Sequence, residues 1–254
     1  MNRSIYERET FHIGSNTKYV CPECKNGSLL ALKEKLTTVE YMNYNKLVHE
    51  QEDWESDWFK HGFHGVLVCE NKSCKEEIVV SGKYTHSYWQ GISSDGEYGE
   101  GEERICTPEY FERSPIIISI NKNTPKEIQD TTIESFSLFW INKESCANKI
   151  RVAIEQIMDN FGVAKYPRTG KRIPISLQKR LNTFAIDHPK IAKHLEAIKW
   201  IANSGSHSGG VTNSDVLDGY QILEYALNQL YDKEETDIDN LAKKINKKKK
   251  PLSN

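Results

Sequence analysis

The stretch Lys199-Trp200-Ile201-Ala202-Asn203-Ser204-Gly205-Ser206-His207 decides how the second half of this chain folds. An apolar pattern of helical period, Ile191, Leu195, Ile198 and Ala202, runs into it from Pro189. Just after it, Thr212-Asn213-Ser214-Asp215 resembles a capping box with Asp in place of the usual Glu, so a new helix begins there. Asn203 and His207 stand four apart across the break. The small residues Ser204, Gly205 and Ser206 let the backbone turn and another group approach closely. An amide and an imidazole held between two helices can lock a helix end, or can move a proton near neutral pH.

Working outward, helical periodicity covers the whole C-terminal half. Thr124 and Pro125 are suited to a helix start, followed by Ile128, Thr132, Ser135, Phe136 and Phe139 at helical spacing. From Asn142 to Phe161 the apolar stripe is Ala147, Ile150, Ile154, Ile157, Met158 and Phe161, ended by Gly162. A third helix is expected from Ile175 to Phe184 and a fourth from Pro189. A fifth carries Val216, Tyr220, Leu223, Leu227 and Leu230, and Thr236 to Ile245 adds a sixth. Short connections favour an antiparallel bundle over residues 125–245. Arg151 and Glu155 flank the second stripe four residues apart, spaced for an ion pair or for a fork that holds a carboxylate or phosphate. Lys247 to Lys250 open a basic tail over 246–254, which is a solvated run or a loose phosphate contact.

Residues 1–90 read differently, as strands and turns around cysteines. Cys21-Pro22-Glu23-Cys24 is a tight knuckle, and the strand Val66-Leu67-Val68 delivers Cys69, with Cys74 five residues on. Ile78-Val79-Val80 begins a return strand. Two such pairs supply the four soft ligands of a tetrahedral zinc, so Cys21, Cys24, Cys69 and Cys74 are the expected ligands. The second pair is wider than the first, and 44 residues separate the pairs, so that interval contains an insertion. Within it Glu50 to Phe59 is acidic and aromatic, with Trp54 and Trp58 on one side of a short helix. His61 and His64 precede Cys69 and are alternative ligands. A closed four-thiolate shell leaves no place for a reacting water, so the zinc is expected to be structural. Residues 91–124 read as a linker or extended arm, because Asp95 to Glu103 is acidic and glycine-rich. Cys106 stands alone there.

The net charge of -2 gives no global attraction to nucleic acid or membrane. No run of 18 apolar residues suggests a membrane span, and the first residues lack the apolar core of a signal peptide. A cytoplasmic protein with reduced thiols is the expectation, in which six cysteines suggest metal before disulfides.

The span from about 125 to 245 resembles the bacterial family called domain of unknown function 4145. The resemblance rests on Arg151 and Glu155 in one helix, then Lys199, Ala202, Asn203 and His207 before a final long helix. Members of that family often carry a small zinc ribbon in front, which fits the four cysteines. The family is similar to the HEPN helical superfamily, many of whose members are dimeric, metal-independent ribonucleases. The resemblance therefore implies an α+β chain of two domains, a β-rich zinc ribbon followed by an all-α HEPN-like bundle. In the HEPN motif an arginine neutralises the scissile phosphate and a histidine moves a proton. Here Asn203 and His207 fit, but Ala202 stands at the arginine position. Alanine carries no charge, and Lys199, one turn earlier, or Arg151 would have to replace it. The expected function is thus a non-catalytic, homodimeric interaction module with RNA, DNA or a protein as partner, linked to defence or toxin–antitoxin loci. The alternative is a ribonuclease with a rearranged site of His207, Asn203 and Lys199.

Overall fold

A computed structural model describes every residue except 56–57, 93–97, 171, 205–209, 233 and 250–254. The chain is α+β, with an N-terminal β-rich region and a C-terminal helical region. It divides into two compact units. The β-rich unit takes Asn2–Ile117 and Ser135–Cys146. The helical unit takes Met1, Ile118–Glu134 and Ala147–Asn254.

The β-rich unit is one antiparallel sheet of seven strands. After a short helix α1 (Arg3–Glu7) come β1 (Phe11–His12), β2 (Asn16–Val20), β3 (Ser28–Leu30) and β4 (Leu36–Glu40). After α2 (Met42–His49) come β5 (His61–Cys69), β6 (Glu77–Ile92) and β7 (Tyr98–Phe111). The order is β1-β7-β6-β5-β3-β2, with β4 also paired to β5. Period-2 alternation sets the buried face. Phe63, Leu67 and Cys69 on β5, Ile78 and Val80 on β6, and Cys106 and Phe111 on β7 are all buried. The β6–β7 hairpin shifts register between Ser81 and Gly82. A Cβ on Gly82 would lie 2.1 Å from the Thr107 carbonyl oxygen, so only glycine fits where β7 comes closest.

Residues 98–111, expected as part of a linker or extended arm, form β7, paired with β6 from Ile92↔Tyr98 to Val80↔Phe111. One carboxylate of the acidic run and another farther along β7 are matched across the ladder. Lys83 meets Glu109 at 2.6 Å, and Glu102 meets His86 at 2.7 Å. Trp54, expected to share one side of a short helix with Trp58, packs edge-on against Phe59 and His49. The helix of that insertion is α2, placed earlier than expected.

The core of this unit is aromatic. Tyr19 lies 5.1 Å from Trp140 between ring centroids, Phe111 lies 4.9 Å from Trp140, and Tyr6 stacks on Tyr19 at 5.8 Å. The Tyr6 hydroxyl donates to the Ile116 carbonyl and the Trp140 indole N–H donates to Ser114 Oγ. Burial, the largest cause, pushes the Tyr6 and Tyr19 hydroxyls above their ordinary range, and the neighbouring Tyr6, Glu9 and Cys106 add to the rise at Tyr19. Phe139 and Trp140 were expected in a helical bundle. They count with the sheet because their rings fill this aromatic cluster.

The helices are α3 (Lys126–Ile141), α4 (Lys143–Asn160), α5 (Leu177–Phe184), α6 (Pro189–Ser204), α7 (Asn213–Tyr231) and α8 (Glu234–Lys248). The core of the helical unit is the expected set. Ile150, Ile154, Ile157, Leu195, Ile198, Tyr220 and Leu223 are each at most 1% exposed. Thr212 and Asp215 form a full capping box at the start of α7. Thr124 does not cap α3 as expected. Its hydroxyl is buried with no hydrogen bond among the described residues, and Gln129 takes its carbonyl. Helix α8 runs to Lys248, so the first lysines of the expected tail are helical. No described helix is long and apolar enough to cross a membrane.

Candidate metal centre and helical pocket

Two turns build the first site. In Cys21–Lys25 the Lys25 amide donates to the Cys21 carbonyl, and in Asn71–Lys75 the Lys75 amide donates to the Asn71 carbonyl. Lys25 and Lys75 both take positive φ, at 57° and 52°. The two knuckles are therefore the same turn. In the second, Asn71 occupies the position of Cys21, and the missing thiol comes from Cys69, two residues earlier at the end of β5. This explains the wider spacing of the second pair.

The turns bring the four expected thiols together. All four sulfur atoms lie within 4.8 Å of one another. Cys21 and Cys74 are 4.0 Å apart and Cys24 and Cys69 are 3.6 Å apart. A tetrahedron with metal–sulfur bonds of about 2.3 Å has edges of about 3.8 Å, so the spacing suits a four-thiolate ion and is far too long for disulfides. His61 and His64 lie elsewhere on β5 and are not part of the cluster. Amide donation from Asn26, and then from Gly27, holds the Cys24 thiol down at about 6, as a sulfur poised to be a thiolate requires. Burial pushes the Cys21 thiol up and that of Cys69 up to about 12.

Residues not singled out in the sequence brace the centre. The Arg113 guanidinium reaches Glu23 in the first knuckle at 3.2 Å and also pairs with Glu76 beyond the second and with Glu112. Glu70 accepts from the Ser28 hydroxyl at 2.6 Å and from Asn16 at 2.8 Å, and these hydrogen bonds, Ser28 first, lower its carboxyl below the usual range. Outer partners of this kind orient ligands. A Cβ on Gly27 would lie 2.6 Å from Cys69 Sγ and 3.0 Å from Asn71 Cβ. Gly27→Ala is accordingly expected to weaken metal affinity by about 10–100-fold, measured by competition with a chromophoric chelator. Cys106 is buried away from this cluster, and burial pushes its thiol up to about 12, so it is an inert core residue.

The second site lies in the helical unit. A pocket of about 300 Å³ is lined by Arg151 of α4, Ser176, Leu177 and Gln178 at the start of α5, and Lys199, Trp200 and Asn203 of α6. Three of the residues expected at a site thus share one cavity. Lys199 is only 4% exposed. Its ammonium donates to Gln178 Oε1, lies 3.5 Å from the centre of the Trp200 ring, and is 3.9 Å from Glu196. Arg151 faces Glu155 at 3.5 Å, as the four-residue spacing anticipated, and its Nε is buried without a hydrogen bond among the described residues. Asn203 is half-buried in the last turn of α6. His207 lies outside the described residues. Arg180, which the sequence reading passed over, is 2% exposed and joins Asp159 and the Val163 carbonyl. Its position on the inner face of α5, between Leu177 and Leu181, was the available signal.

Residues 134–248 match a family model described as a domain of unknown function (DUF4145), and residues 9–111 match a second, a domain of unknown function (DUF8608). No curated protein and no solved structure matches the chain.

Proposed function

We propose that this protein is a non-catalytic interaction module that binds single-stranded RNA through a HEPN-like helical unit and is stabilised by a zinc-ribbon-type centre in front. The observation that carries this reading is the shared pocket of Arg151, Lys199, Trp200 and Asn203. Two cations and an amide suit a phosphate, and an indole 59% exposed beside them offers a base a stacking surface. Both cations are engaged by their own chain, Lys199 by Gln178 and Arg151 by Glu155, and Ala202 supplies no further charge. This supports binding over catalysis. Zinc fits the thiolate cluster because four soft ligands at tetrahedral spacing select it over oxygen-seeking ions. The closed donor set makes its role structural. A homodimer formed through the helical unit belongs to the same reading, supported by the exposed Ile173 and Ile186.

Fluorescence anisotropy with a labelled single-stranded RNA tests the proposal. The wild type is expected to bind with an affinity that falls as salt rises, to leave the RNA intact, and to sediment as a dimer. Arg151→Gln is expected to weaken binding about tenfold. Binding unchanged in Arg151→Gln, or none at low salt, overturns the RNA reading. The same pocket also supports a second reading, a metal-independent ribonuclease, in which Arg151 or Lys199, which share the pocket with Asn203, supplies the charge that Ala202 lacks. Cleavage in magnesium-free buffer that disappears in His207→Ala would establish it in place of the first.

A further inference from the structure

The β-rich unit holds a second cleft that plays no part in the metal centre. It encloses about 420 Å³ over the sheet formed by β4, β5, β6 and β7, within the range of small-ligand sites. Its floor is made by register. His61 on β5 stands opposite Tyr84 on β6, and His86 on β6 stands opposite Arg104 on β7. Directly opposed residues of antiparallel strands share a face, so these four side chains line one surface. Their rings form a platform. His61 meets Tyr84 edge-on at 6.1 Å between centroids, and Tyr84 and His86 stack at 6.4 Å. Glu102 accepts from His86 Nε2 at 2.7 Å and from Arg104 Nε at 2.5 Å, which fixes both side chains in place. Lys33 lines the same cleft.

The charge is unbalanced. Lys33 and Arg104 are permanent cations, Glu102 is the one carboxylate among the lining residues, and two imidazoles add charge when protonated. In a chain of net charge -2, this is a local positive site with an aromatic floor. His61, His86 and Glu102 do not gather into a metal-binding group among the described residues. We propose that the cleft binds a nucleotide unit, its base on the Tyr84–His86 platform and its phosphate held by Arg104 and Lys33. The pre-set guanidinium loses little freedom on binding, which favours a phosphate over looser anions. Free nucleotide and one residue of a single strand present the same chemistry. The cleft is separate from the helical pocket and does not depend on what that pocket binds.

Calorimetric titration of the full, metal-loaded chain tests this. The probes are the four nucleoside 5′-monophosphates, the corresponding nucleosides, inorganic phosphate and a ten-nucleotide single-stranded RNA. Saturable binding of a monophosphate is expected if the free nucleotide is the ligand, and of the RNA alone if it is a strand residue. Arg104→Gln and Tyr84→Leu should each weaken that binding about tenfold, whereas Tyr84→Phe should leave it unchanged. Retention of the ring in Tyr84→Phe separates stacking from a folding defect. Nucleotide binding left unchanged by both Arg104→Gln and Tyr84→Leu would place the ligand outside this cleft and overturn the proposal. So would phosphate binding as tightly as the nucleotides, or no saturable binding of any nucleotide probe.

Discussion

Cys69→Ser is expected to unfold the β-rich unit of the isolated protein, with loss of its near-ultraviolet circular dichroism and of one bound zinc per chain. Cys69 ends β5, is 3% exposed, and has its sulfur 3.6 Å from that of Cys24. On the proposed zinc reading, an ion bound by the four sulfur atoms, which lie within 4.8 Å of one another, ties the two turns together. Structural zinc contributes roughly 10–16 kcal/mol in small zinc-binding modules, comparable to or above the roughly 5–15 kcal/mol net stability of a typical domain. Chelation should have the same effect on the wild type, and readdition of zinc should reverse it. Acid should act in the same direction. Metal binding requires thiolates, and below about pH 6 it must also displace the proton that Cys24 then carries. Affinity therefore already falls as pH is lowered through neutrality, because Cys21 and Cys69 carry protons there, and falls with a steeper slope below about 6. A Cys69→Ser protein that keeps both its metal and its folded spectrum would contradict this account of the centre.

Trp140→Ala is the second large effect, an expected loss of about 3–5 kcal/mol in urea unfolding of the metal-loaded protein. The indole is 6% exposed and touches the rings of Tyr6, Tyr19, Phe111 and Phe139. Its N–H is bonded to Ser114 Oγ at 3.0 Å. Truncation removes the largest ring of the cluster and leaves that hydroxyl without its donor. Trp140→Phe keeps most of the volume and should cost about 1 kcal/mol, mainly the hydrogen bond. Near-equal losses for the two substitutions would show that packing is not the main contribution of this residue.

Much of this was legible in the residues. The apolar periods of α4, α6 and α7 mark their buried faces, because a 3.6-residue repeat leaves one solution for which side meets a core. The Thr212–Asp215 cap is local, and local hydrogen bonds can be read from four residues. The four cysteines are legible because sulfur in pairs has few other uses in a reduced chain.

What the residues alone left open depends on partners far along the chain. The acidic run before Cys106 looks solvated until β6 supplies His86 as a partner for Glu102. Phe139 and Trp140 look like bundle residues until Tyr6, Tyr19 and Phe111 surround them. Arg113 looks like one more surface cation until folding sets it between Glu23, Glu76 and Glu112. The stretch from Lys199 to Asn203 shows the division most clearly. Helical period alone placed Ala202 inward, but only the packing of α5 beside α6 buries Lys199 against Gln178 and brings Arg151 to the same cavity. Periodicity is a property of neighbours in sequence, whereas charge pairing and cavity lining depend on which distant segments the fold sets side by side.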